Sequence, residues 1–150
     1  MANFLDLAQR RDLLLGGKPV TKSTGTLAAT TVQLFTVAGG IVCVTSLVGL
    51  VTTSITVANS YKLQHDPTAG DTSDIVAATD IGTTDTVAGT VLGFSGTPGD
   101  SIEKGAAGLS RPLFLPAGEI ESVSAGTDGV ITWYLTWVPL EVGATVVAAA

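Results

Sequence analysis

Apolar positions along the chain follow two patterns. Between Asn3 and Leu15, the residues Phe4, Leu7, Ala8, Leu14 and Leu15 lie near one face at a spacing of 3.6 residues, interrupted by Arg11. Asn3 is placed to cap this segment and Gly16-Gly17 to stop it, so the spacing predicts a helix over residues 3–15. After Lys18-Pro19 the apolar residues alternate, or run in short blocks between turn-prone residues, which predicts strands. The predicted strands are Val20–Ser23, Val32–Val37, Ile41–Leu47, Thr52–Ala58, Tyr61–Gln64, Val87–Phe94, Glu119–Ser124, Val130–Val138 and Thr145–Ala148. Alternation is clearest in the penultimate one. Ile131, Trp133, Leu135 and Trp137 share one face, and Thr132, Tyr134, Thr136 and Val138 share the other.

Many short strands at this spacing predict an all-β fold, an antiparallel sandwich or barrel of jelly-roll-like type with a short N-terminal helical arm. Residues 1–17 form the arm and residues 18–150 a single β domain, a length that one core can serve. The stretch from Asp66 to Gly108 is built from Thr, Ala, Gly and Asp. It reads as long loops with one strand and a short helical turn after Ser73-Asp74, and nothing in it marks a second domain.

Composition changes the picture in one respect. Charged residues are only 13% of the chain and the mean hydropathy is +0.48, which leaves little polar surface to cover a lone domain. Both faces of Val130–Val138 are substantially apolar, whereas a sheet in a monomer normally keeps one wet face. The expectation is a homo-oligomer, or a subunit buried in a larger assembly. The anchors expected at such interfaces are Phe4, Leu7, Arg10, Arg11 and Leu14 on the arm, with Trp133, Tyr134 and Trp137 on the strand.

Charge is unevenly spread. Residues 1–22 hold four positive and two negative side chains, a net +2, so the other 128 residues carry −8 of the total −6. The acidic balance argues against nucleic acid as a partner. The basic segment either packs on its own sheet or docks on a neighbouring subunit. No charge falls between Ser23 and Tyr61, yet the strongest apolar run, Gly39–Val51, is 13 residues. That is short of the roughly 20 residues a membrane helix needs, so no membrane span is expected. Asp6 and Asp12, with no long apolar run between them, argue against a signal peptide, and a cytoplasmic product is expected.

Candidate chemistry is thin, and no enzyme, cofactor or metal is expected. His65-Asp66 has the composition of a base and its orienting acid, but neighbours in a strand point to opposite faces. Asp66, Asp71 and Asp74 supply oxygens of the kind calcium takes, at spacings that do not match an EF-hand loop. Gly93-Phe94-Ser95-Gly96 lacks the lysine of a phosphate loop. Trp133, Tyr134 and Trp137 have the makings of a stacking platform, though aromatics four residues apart on one strand face belong more often to a core or an interface. Cys43, flanked by Val42 and Val44, reads as a buried apolar thiol.

Two runs carry a resemblance. They are GGIVCVTSLVGLVTTSITVANSYKLQHDPTAGDTSD (Gly39–Asp74) and LPAGEIESVSAGTDGVITWYLTWVPLEVGATVVAA (Leu115–Ala149). Their Thr/Val/Gly-rich strands, the LQ-DPT-G loop and the closing hairpin resemble small virion proteins of tailed bacteriophages, over roughly residues 25–150. Such proteins decorate or cement the capsid, often as trimers. The resemblance implies a capsid decoration protein on the virion surface, made in the host cytoplasm, with the major capsid protein and further copies of itself as partners. It transfers no catalytic residue. Two alternatives stand beside it: a phage tail, fibre or head–tail component that contacts host glycans, and a cellular β-sandwich binding module.

Overall fold

The structure is a computed structural model that describes residues 7–14, 16–94, 101–105, 109 and 111–150, without the side chains of residues 8, 11 and 13. Its elements in chain order are α1 (Leu7–Leu14), β1 (Lys18–Thr26), β2 (Thr31–Ala38), β3 (Val42–Thr53), β4 (Ser60–Pro67) and β5 (Ser73–Asp80). They continue with β6 (Val91–Phe94), β7 (Ile102–Lys104), β8 (Leu113–Leu115), β9 (Gly118–Ser124), β10 (Val130–Pro139) and β11 (Thr145–Ala148). Two antiparallel sheets pack face to face, so of the two predicted architectures the molecule takes the sandwich. The first sheet runs β1-β10-β3-β6-β7, with β8 also on β3; the second runs β11-β2-β9-β4-β5.

β3 and β10 form the centre of the first sheet, paired along nearly their whole length, from Val130 against Thr53 to Pro139 against Val42. Both are rich in β-branched residues, which suit a pleated surface. The expected alternation holds in β10: Ile131, Trp133, Leu135 and Trp137 are buried, and the residues between them face outward. Gly49 stands opposite Trp133, and a Cβ there would sit 3.1 Å from two atoms of the indole. Here the glycine makes room for a ring. In the core that ring stacks on Phe94 of β6 and on Tyr61 of β4. The second sheet sends Phe35, Val37, Ile120, Leu63, Ile75 and Val76 inward against it.

Three expectations are corrected. Thr52–Ala58 is not a strand of its own: β3 runs on to Thr53, and beyond it there is only a bridge between Ile55 and Thr86. The Asp128 carboxylate takes hydrogen bonds from the Thr56 amide at 2.8 Å and from the Thr56 hydroxyl at 2.7 Å. Those bonds satisfy the segment as a loop in place of a ladder. Ser73–Asp80 is a strand where a loop and a helical turn were expected. Its small residues carry a weak pattern, and pairing with β4, through two register irregularities, supplies the backbone bonds. The short strands β7 and β8 were likewise unforeseen.

At the N-terminus the described helix is α1, eight residues long, and no arm is shown. Asn3 and Phe4 lie outside the described residues. Gln9 and Asp12 of α1 share a small apolar cleft with Lys18, Trp137, Val138 and Pro139. The helix is not amphipathic in the expected sense, because Leu7 and Leu14 are 84% and 86% exposed. Gly16 and Gly17 tie it to the first sheet. Gly16 C=O accepts from the Thr45 hydroxyl at 2.8 Å, and Gly17, at φ 148°, lies against the Trp137 backbone.

Candidate functional site

The two outer faces of the sandwich differ in chemistry. The second sheet presents Lys62, Gln64 and Asp66 from β4, Glu119 and Glu121 from β9, Gln33 and Thr36 from β2, and Asp74 from β5. These groups bind one another. Lys62 pairs with Asp74 at 2.7 Å, Gln64 donates to Glu121 at 2.8 Å, and Thr36 donates to Glu119 at 2.9 Å. This is a polar, mostly acidic face.

The first sheet is different. Its strands β3, β6, β8 and β10 hold no Asp, Glu, Lys, Arg or His. Alternation about the buried residues sets the outward ones in cross-strand rows. Thr21, Tyr134 and Val48 form one row; Thr132, Leu50 and Val91 a second; Val138, Cys43 and Phe114 a third. Leu140 and Ile41 extend the surface at one end, joined by the Leu140 amide donating to the Ile41 carbonyl at 3.0 Å. Phe114, Tyr134, Leu140 and Ile41 are all exposed. Cys43 is buried within its row, and that burial raises its thiol pKa. Across these four strands the face is uncharged, with threonine hydroxyls between aliphatic and aromatic groups; at the β7 edge Glu103, opposite Gly93, adds a carboxylate.

The expected anchors divide. Tyr134 lies in the middle of the uncharged face and is half-exposed. Trp133 has no exposed surface and Trp137 almost none, so neither is available to another chain. They are corrected from interface to core residues, because their strand face is the one that meets the second sheet. Leu7, Arg10 and Leu14 are exposed on α1; Phe4 and the Arg11 side chain lie outside what the structure describes. Phe114, Val48, Leu50, Val91, Ile41 and Leu140 were missed. The signal for Val48 and Leu50 was the lack of charge in residues 42–53, which entered the sequence argument only over membrane insertion.

The remaining candidates are placed individually. His65 is buried on the inner face of β4, its Nε2 at 3.1 Å from the Pro116 carbonyl. Burial lowers its pKa, against smaller opposing effects of that hydrogen bond and of the Asp66 and Glu119 charges. Asp66 takes a hydrogen bond from the Thr72 hydroxyl at 2.6 Å, and Asp74 is the partner of Lys62. Among the described residues no three His, Cys, Asp or Glu side chains converge as metal ligands. Among them, too, no helix is long and apolar enough to cross a membrane. No protein-family model, curated protein or solved structure matches the chain.

Proposed function

We propose that the protein is a structural subunit of a virion, a capsid decoration protein that attaches to the major capsid protein through the outer face of its first sheet. The observation that carries the reading is the contrast between the two outer faces: one polar and acidic, the other without a charge on β3, β6, β8 or β10. Extended uncharged surface of this kind marks protein contacts. Burying it contributes about 25 cal/mol per Å² of apolar area, offset by the entropy of association. The resemblance of Gly39–Asp74 and Leu115–Ala149 to small phage virion proteins supplies the identity of the partner, and it extends the reading to a homo-oligomer of trimeric type.

The test is co-sedimentation of purified protein with shells assembled from the major capsid protein of the same virus, with copies per particle counted. Saturation at hundreds of copies supports decoration. A few copies per particle moves the protein to the tail or the head–tail junction, and no binding removes the virion reading.

A further inference from the structure

A crevice of about 690 Å³ opens between β1 and β2, where the chain crosses from one sheet to the other. That volume is in the range of sites for small molecules and inserted side chains, about 300–1,000 Å³. Lys22 stands on the β1 wall; Thr31, Gln33 and Glu121 stand on the wall made by β2 and β9. Glu121 is only 8% exposed. Among the described residues, the hydrogen bond to its carboxylate comes from the neutral amide of Gln64, at 2.8 Å. A carboxylate buried to this degree is ordinarily matched by a cation, because one neutral donor does not replace the lost hydration. Lys22, the cation of the crevice wall, donates to the Ala149 carbonyl at 2.5 Å. No aromatic side chain lines the crevice, so it offers no stacking platform for a sugar ring or a base.

We propose that the crevice receives a guanidinium or ammonium group on an extended side chain of a partner protein, with Glu121 as counter-ion and the Gln33 amide and Thr31 hydroxyl as flanking acceptors. A charge-assisted bond to Glu121 distinguishes such a group from a neutral one of the same shape. The inference is independent of the uncharged face, and its test uses no shells.

The experiment is an NMR titration of the full-length ¹⁵N-labelled protein with three probes. They are N-acetyl-arginine methylamide, its neutral citrulline counterpart, and an otherwise uncharged pentapeptide with one central arginine. Both arginine probes are expected to shift the amides of Gly25, Gln33 and Glu121, the pentapeptide more tightly than the single amino acid, and citrulline at least about tenfold more weakly. Glu121→Gln keeps an acceptor for the Gln64 amide and is expected to abolish the response. In the wild-type protein, which needs no variant to fold, binding is expected to weaken as salt rises. Equal binding of citrulline, an unchanged response in Glu121→Gln, or indifference to salt overturns the proposal. A pentapeptide no tighter than the single amino acid overturns the assignment to a protein side chain and leaves a free small cation as the ligand.

Discussion

The indole N–H of Trp133 donates to the hydroxyl of Tyr61 at 2.9 Å, and the two rings lie 6.3 Å apart within 8° of parallel. This contact joins β10 of the first sheet to β4 of the second at the middle of the core. Both side chains are fully buried, so neither polar atom has water as an alternative partner. Tyr61→Phe keeps the ring and leaves the indole N–H without its acceptor. It is expected to lower stability by about 1–3 kcal/mol, the loss typical of a buried polar group left unpaired. Denaturant unfolding followed by tryptophan fluorescence measures it. A loss near zero means that the bond does not contribute.

Gly17 supports a second prediction. At φ 148° a Cβ would stand 2.4 Å from the Trp137 carbonyl oxygen, so any side chain forces the link between α1 and β1 off the sheet. Gly17→Ala is expected to destabilise by about 1–3 kcal/mol from the strained backbone, with displacement of the link in addition. Gly143, at φ 90°, has open space around its Cβ position. Gly143→Ala incurs the backbone penalty alone, about 1–2 kcal/mol. Unfolding midpoints of the two variants are expected to fall in that order.

His65 makes stability depend on pH. Burial on the inner face of β4 lowers its pKa below the ordinary 6.5, so the folded state binds its proton less readily than the unfolded chain does. Stability from this residue is therefore complete above about pH 6.5, falls as pH drops through that value, and levels off below the folded pKa. Unfolding midpoints measured between about pH 7.5 and about pH 5 are expected to decline, above the range where carboxylates titrate. In His65→Gln, which retains a donor for the Pro116 carbonyl, the decline is expected to flatten. A parallel decline in the variant assigns the effect to other groups.

The parts of this fold that were legible in the sequence are those where local pattern and tertiary pairing agree. In Val130–Val138 strict alternation divided the residues between two faces, and the register with β3 keeps that division. Ser73–Asp80 was not legible because its small residues have little preference of their own; pairing with β4 makes it a strand. The tryptophans show a different limit. Alternation placed Trp133 and Trp137 on one face, but a single strand does not reveal which face meets the other sheet. The uncharged outer face was written in the absence of charge across β3 and β10, yet it takes the register to bring Tyr134 beside Val48 and Phe114 beside Cys43. The crevice at Glu121 left no mark in the sequence, because β9, which supplies Glu121, lies far along the chain from β1 and β2.

Tyr134 and Trp133 are neighbours in β10 with opposite expected phenotypes. Tyr134 lies outward beside Val48 and Thr21, half-exposed, so Tyr134→Lys removes little buried contact. It is expected to change stability by no more than about 0.5 kcal/mol. The same substitution sets a charge in the centre of the proposed shell contact, where desolvating an unpaired ammonium opposes association. Shell affinity is expected to fall at least about tenfold, equivalent to about 1.4 kcal/mol. Trp133→Phe removes core volume and the bond to Tyr61, so it is expected to lower stability by about 1–3 kcal/mol while leaving the affinity of the folded protein unchanged. Co-sedimentation and denaturant unfolding of the two variants separate the effects. Should Tyr134→Lys bind shells as the wild type does, the attachment surface lies elsewhere than on this face.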